Sequence, residues 1–208
     1  MTDRRALGGC GTGELPALIR RAVAAGIHWV QIREKDLPAR ELLGLVREAV
    51  AAAQGSATRI VVNDRLDVAL AAGAAGVHLG EQSLSVAEVV GWRRAAESKA
   101  RVPAGFLIGA SCHSQEAALE AERAGADYIF FGPVFATPSK AAFGPPQGIL
   151  KLTEVCRSVR IPVSAIGGVA VENAAQCYTA GAAGIAAIRL FQQAADLATV
   201  MQRLRAGF

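Results

Sequence analysis

The chain has 208 residues, 52% of them hydrophobic and 19% charged, which suits a single globular domain spanning 1–208. No apolar run is long enough to cross a bilayer, and no charged-then-apolar leader pattern opens the sequence, so a membrane protein is not expected. The net charge of +4 is scattered along helix faces without a Lys/Arg run, and aromatics are only 5%; this argues against nucleic acid and for anionic small molecules as partners.

Taken in chain order, the pattern alternates. An amphipathic helix is predicted over 14–25 and a strand over 27–32. A helix follows over 39–53, with Leu42, Leu43, Val46 and Val50 at helical spacing. Then come a strand at 60–62, a short helix at 66–72, a strand at 76–79 and a helix at 86–98. The next strand is predicted at 105–109, its helix at 115–124 and a further strand at 127–131. A long irregular loop, 132–148, leads to a helix at 149–159, a strand at 162–166 and a helix at 171–180. A strand at 183–188 and a helix at 192–204 complete the series. Ala/Gly elements at Gly26, Gly73, Gly125 and Gly181 stand where a helix must stop and the chain drop into the next strand. Repeated strand–helix units with right-handed crossovers imply an α/β fold, a (β/α)8 TIM barrel. A doubly wound open sheet is the alternative, but it gathers ligand groups at one switch point rather than at the end of nearly every strand.

Here the polar groups do recur at strand ends, where a barrel of this class places its active site. Gln31, Arg33 and Lys35 alternate, so they project to one face, the barrel interior. Two cations and an amide in a barrel mouth call for an anionic ligand; an internal ion pair with neighbouring acids is the other reading. Asn63 and Asp64 end their strand as an oxygen-donor pair suited to Mg²⁺, or alternatively as a cap for the helix at 66–72. Ser111 ends another strand, where it could serve a ligand or cap the helix that opens at Ser114. Thr137, Ser139 and Lys140 fall in the long loop and suit phosphate, unless that loop is only a solvated lid. Gly167-Gly168 can present amides to an anion or make a tight turn. His28 and His78 read as packed strand residues, whereas His113 follows a strand end. Cys10, Cys112, Cys156 and Cys177 show neither C-x-x-C pairing nor zinc spacing, and read as reduced thiols of a cytoplasmic protein.

Six segments together resemble one family. They are 31–36 (QIREKD), 62–65 (VNDR), 76–80 (GVHLG), 109–113 (GASCH), 132–140 (GPVFATPSK) and 165–168 (AIGG). In this order they resemble thiamine phosphate synthase and its sister thiazole tautomerase, from Thr2 to the last helix. The resemblance implies a barrel enzyme that condenses an aminopyrimidine methyl diphosphate with a thiazole phosphate, with Mg²⁺ and release of pyrophosphate. It assigns Gln31, Arg33, Lys35, Asn63 and Ser111 to the pyrimidine diphosphate, and Asp64 to the metal. Thr137, Ser139, Gly167, Gly168 and the backbone at Ile188-Arg189 fall to the thiazole phosphate, and Lys140 to the departing diphosphate. Arg33, Lys140 and Ser111 thus carry the catalysis. His113 lies near the acid/base histidine of the tautomerase branch.

Two positions depart from the family pattern. Ser83 stands where a second metal-binding Asp belongs, with Glu81 nearby as a substitute, and Arg189 stands where synthases usually carry Ser. A metal-independent tautomerase, or a non-catalytic phosphate-ligand binder with a regulatory role, are therefore the rival readings. The intact diphosphate residues speak against an isomerase. Only seven strands are counted against the eight of a closed barrel. Met1–Arg4 supplies almost no apolar strand, so either an upstream start or a gap between the first and last strands is expected.

Overall fold

Short runs rich in Val, Ile and Phe, apolar on both faces, form strands that must be covered on both sides. The computed structural model describes residues 1–7, 14–97, 102–137 and 145–206. Its strands are β1 (Trp29–Ile32), β2 (Arg59–Asn63), β3 (Gly76–Leu79), β4 (Leu107–Cys112), β5 (Tyr128–Phe131), β6 (Val163–Ile166) and β7 (Gly184–Ala186). They make one parallel sheet in chain order, β1 to β7, curled as an open TIM barrel. Outside it lie α1 (Glu14–Ala24), α2 (Ala39–Ala53), α3 (Leu66–Ala72), α4 (Val86–Glu97), α5 (Gln115–Ala124), α6 (Gly148–Ser158) and α7 (Val171–Thr179). A short α8 (Arg189–Gln192) and α9 (Leu197–Arg205) follow β7.

Two predicted elements are corrected. The strand expected at 105–109 runs instead from Leu107 to Cys112. Gly105, with φ +71, and the Phe106 amide bonded to the Pro103 carbonyl at 3.2 Å form a turn first, which moves the strand forward and puts Ser111 inside it. The single helix expected at 192–204 is two helices. The Asp196 carboxylate accepts from the Ala198 and Thr199 amides at 2.9 and 3.2 Å and starts α9 afresh.

No eighth strand stands between β1 and β7 among the described residues. Met1 and Thr2 lie across that opening. The Thr2 amide donates to the Gln31 carbonyl at 2.8 Å, and the Thr2 hydroxyl accepts from the Arg33 amide at 2.9 Å. On the other side the Met1 ammonium donates to the Ala187 carbonyl at 3.4 Å. Acids after β1 hold this segment down. Buried Glu34 accepts from the Arg4 amide, and Asp36 accepts both Arg4 guanidinium branches at 2.5 and 2.6 Å and Arg5 at 2.9 Å. The Arg4 bonds pull the Asp36 carboxyl down to about 2.

The outward strand side chains fall into two cores. Val30, Ile32, Val62, Val77 and Ile108 face outward and pack on α1–α4. Ile129, Phe131, Val163 and Ala165 pack on α5–α7 with Leu152, Cys177 and Met201. The inner face is set by register. Asn63 pairs His78, His78 pairs Gly109, and Gly109 pairs Tyr128, giving one inward row across four strands. Tyr128 stands edge-on to Trp29 with ring centroids 4.4 Å apart, and His78 lies 4.3 Å from the Phe130 ring. A Cβ at Gly109 would meet the Tyr128 ring at 2.0 Å, so the missing side chain is what admits the phenol.

Two expectations follow from this interior. Gly109→Ala should destabilise the chain by about 3 kcal/mol or more, because the added methyl has no space and the ring no exit. Urea unfolding measures it, and an unchanged midpoint would show that the interior can repack. Burial lowers the His78 pKa from 6.5 to about 3. The folded state then stays neutral while the unfolded chain takes up a proton below pH 6.5. Stability from this group should therefore fall as pH drops from 6.5 towards 3, by at most roughly 1.4 kcal/mol per unit. Urea titrations from pH 7 to 4 should show a shallower acid limb for His78→Gln than for the parent; parallel limbs would refute it.

Candidate active site

At the carboxyl ends of the strands is a cavity of about 960 Å³. It is lined by the predicted residues Gln31, Arg33, Lys35, Asn63, Asp64, Ser83, Ser111 and His113, and also by Thr137, Gly167, Gly168, Ile188 and Arg189. Residues some 160 positions apart are brought together because every strand of a parallel sheet points the same way. Ser139 and Lys140 lie outside the described residues.

From β1, Gln31 is 3% exposed and its Nε2 donates to Asn63 Oδ1 at 3.1 Å. Its Oε1 is buried with no partner among the described residues. Arg33 and Lys35 reach the same cavity, while the intervening acids turn to Arg4 and Arg5. No ion pair involves Arg33 or Lys35 among the described residues, so the internal-pair reading of these cations is not what the fold does.

Asp64 follows β2 in the left-handed region, φ +66, uncommon for a residue with a side chain. Its amide donates to the His78 carbonyl at 2.8 Å. It is not the cap of α3. That position belongs to Arg65, whose side chain makes no cap bond but grips Asp67 at 2.6 and 2.9 Å. The Asp64 carboxylate is thus spent on no helix terminus. Across the mouth, the Ser83 hydroxyl accepts from the Gly80 amide at 2.8 Å and closes the turn after β3. Asp64 and Ser83 offer oxygen donors, the kind that Mg²⁺ takes when substrate phosphates and water fill its remaining positions, while Asn63 Oδ1 is engaged by Gln31. A cluster of three or more acidic, His or Cys ligands does not occur among the described residues.

Ser111, near the end of β4, is 3.0 Å from His78 Nε2, and His78 Nδ1 is 3.1 Å from the Tyr128 hydroxyl. Ser111 does not cap α5; Ser114 does, accepting from the Ala117 amide at 3.1 Å. His113 Nδ1 donates to the Gly132 carbonyl, and its Nε2 faces Glu81 at 3.7 Å, with Glu81 70% exposed. His28 is corrected: it lies just before β1 and is exposed rather than packed.

The wall of the cavity after β6 is built from backbone. Gly167 and Gly168 have φ +91 and +66, and a Cβ on either would strike Pro133 at 2.5 Å or Ala136 at 2.6 Å. The loop after β5 is laced to this turn by the Val134 amide on Ile166 O and the Phe135 amide on Gly167 O, each at 2.9 Å. Asn173 pins it from behind, donating to Gly168 O at 3.0 Å and accepting from the Ala170 amide at 2.8 Å. Arg189 stands on the same wall as the first residue of α8.

Sequence reasoning missed two contributors, the Glu34/Asp36 clamp and the His78–Tyr128 pair. Both join residues at least 30 positions apart, which local periodicity does not reach. Cys112, Cys156 and Cys177 are free, with burial pushing their thiols to about 11 or 12. No helix among the described residues is long and apolar enough to cross a membrane.

The family model for thiamine monophosphate synthase matches residues 2–191. The chain is 42% identical over 188 residues to the thiamine-phosphate synthase of Methanoculleus marisnigri, covering 90% of this chain and 85% of that one. It is also 42% identical over 191 residues to that of Methanocella arvoryzae, covering 92% and 86%. Among solved structures, a thiamine phosphate pyrophosphorylase from Pyrococcus furiosus superposes with TM-score 0.78 at 34% identity, over 92% of this chain and 88% of that one. The 3-hexulose-6-phosphate synthase of Salmonella typhimurium, with TM-score 0.71 and 16% identity over 96% and 94%, shares the fold. With the model matching most of the chain and relatives this similar over most of their length, the chain belongs to the thiamine monophosphate synthase family.

Proposed function

We propose that this cavity condenses an aminopyrimidine methyl diphosphate with a thiazole phosphate, and that the residues gathered from β1, β2 and β4 handle the leaving diphosphate. The observation that carries the reading is the cationic pair Arg33 and Lys35, which line the cavity without an acidic partner among the described residues. Loss of pyrophosphate from a benzylic-type carbon leaves a pyrimidinyl cation and concentrates charge on the leaving oxygens. Fixed cations at that place stabilise the transition state more than the bound substrate. Arg33 and Lys35 supply them, with Lys140 added by family resemblance. Asn63 stays oriented because its Oδ1 accepts from Gln31, which leaves its amide nitrogen for a phosphate oxygen. Ser111 adds a hydroxyl donor. The thiazole phosphate is received at the other wall by the Gly167-Gly168 turn, Thr137 and the Ile188-Arg189 backbone, with Ser139 added by family resemblance, so the thiazole nitrogen meets the carbon as the diphosphate leaves. Mg²⁺ would be held by Asp64 with water and diphosphate oxygens, and would neutralise leaving-group charge.

Thiazole isomerisation is the competing activity, favoured by His113 alone, whose Nδ1 is tied to a carbonyl while Nε2 faces the opening. An enzyme built only for that would not need two cations free of acidic partners.

Two outcomes test these roles. Arg33→Ala or Lys140→Ala should cut turnover of pyrimidine diphosphate plus thiazole phosphate by at least about 100-fold with the melting temperature kept within a few degrees. Full turnover in either variant would overturn the diphosphate assignment. Ser83→Asp should lower the Mg²⁺ concentration for half-maximal rate by about fivefold, since a second carboxylate joins Asp64. An unchanged Mg²⁺ titration would place Ser83 away from the metal.

A further inference from the structure

We propose that His78 is a positioning residue: held by Tyr128, it turns the hydroxyl hydrogen of Ser111 toward the cavity as a fixed donor. The proposal rests on the reading above, in which Ser111 meets the diphosphate. His78 is 1% exposed and Tyr128 is 2% exposed, so neither bonds to bulk solvent. A neutral imidazole carries one donor and one acceptor, and the partner of one nitrogen decides which is which. Among the described residues the only polar partner of the Tyr128 hydroxyl is His78 Nδ1, at 3.1 Å. If Nδ1 accepts, the phenol hydrogen is satisfied and the imidazole hydrogen sits on Nε2. It then donates to Ser111 Oγ at 3.0 Å. With that lone pair occupied, the serine hydrogen has no place on the histidine side and faces the cavity that Ser111 lines. The opposite tautomer would donate from Nδ1 to the phenol oxygen and strand the phenol hydrogen in the interior, the costlier arrangement.

Packing holds the pair in place. Trp29 stands edge-on to Tyr128, Phe130 lies beside His78, and Gly109 leaves the space the phenol occupies. An unrestrained serine would instead divide its hydrogen between histidine and ligand. The chain Tyr128–His78–Ser111 thus spends a buried aromatic pair on the direction of one O–H bond.

The test combines the imidazole tautomer with a double-variant cycle in the full chain. In ¹⁵N-labelled protein, long-range ¹H–¹⁵N correlations should show His78 protonated at Nε2 and bare at Nδ1. Tyr128→Phe should shift it toward the Nδ1-protonated form. Affinity for inorganic pyrophosphate with Mg²⁺ should fall about tenfold in Ser111→Ala and by a comparable factor in Tyr128→Phe. Adding Tyr128→Phe to Ser111→Ala should cost nothing further, because the phenol acts only through the serine. A wild-type His78 protonated at Nδ1 overturns the proposal while leaving Ser111 on the diphosphate. So does an equal Tyr128→Phe loss in both backgrounds, which marks a purely structural role. Full pyrophosphate affinity in Ser111→Ala overturns the assignment of Ser111 itself, and the relay with it.

Discussion

The inward row Asn63, His78, Gly109 and Tyr128 is the constraint on which the working end of this barrel depends. Parallel register places the four side by side on one face, and the face is too crowded for four side chains. Gly109 yields its volume to the Tyr128 ring, and the ring in turn fills the space over which His78 must sit. One layer further toward the carboxyl ends, Ser111 pairs with Phe130 in register and receives the imidazole. Packing in the layer below therefore sets the chemistry of the layer above. A barrel interior filled by branched aliphatics would hold the strands equally well. Polar aromatics in that place give the site a directional hydrogen bond that aliphatics cannot.

The second constraint is the open side of the sheet. Edge strands β1 and β7 would each present unpaired backbone, a template for another chain. Thr2 satisfies Gln31 and Arg33, and Met1 reaches Ala187. This short bridge works because Glu34 and Asp36 seize Arg4 and Arg5. The same pairing has an electrostatic consequence at the site. Acids adjoining Arg33 and Lys35 in sequence are neutralised by the amino-terminal arginines, so the cations at the mouth keep their field for a ligand. Closure of the edge and strength of the anion site are set by one set of ion pairs.

Much of this was legible in the chain. Apolar runs of three to six residues, most of them closed by polar residues or glycine, identified the strands, and their order followed from the right-handed crossover rule. Strand-end chemistry singled out Gln31, Arg33, Asn63, Asp64 and Ser111 because a polar residue closing an apolar run has few other uses. The misreadings are local and physical. Gly105 looked like the start of β4 but makes the turn before it. Asp196 reads as an ordinary polar residue inside a helical pattern, yet its carboxylate caps a new helix. His28 and His78 have the same alternating surroundings. One is exposed before β1 and the other is among the most buried side chains, a difference decided by which strands flank each. What joined Tyr128 to His78 was register between strands, which no single-strand pattern contains.

The departures at Ser83 and Arg189 act in the same direction. Ser83 removes a carboxylate from the mouth relative to the family pattern, and its hydroxyl is engaged by the Gly80 amide in closing the turn. Arg189 adds a guanidinium on the opposite wall. One negative charge lost and one positive charge gained make the cavity more cationic than the pattern with Asp and Ser at these places. In the proposed reading, more of the diphosphate charge would be met by side chains and less by a metal ion. In the proposed reading Asp64 is the carboxylate that would hold the metal, and its left-handed backbone, φ +66, is one that few residues with a side chain adopt. Charge balance offers a physical reason for the two departures to occur together. The guanidinium gained stands on the wall opposite the one that lost a carboxylate, so the two changes together alter the net charge of the cavity rather than a single phosphate contact.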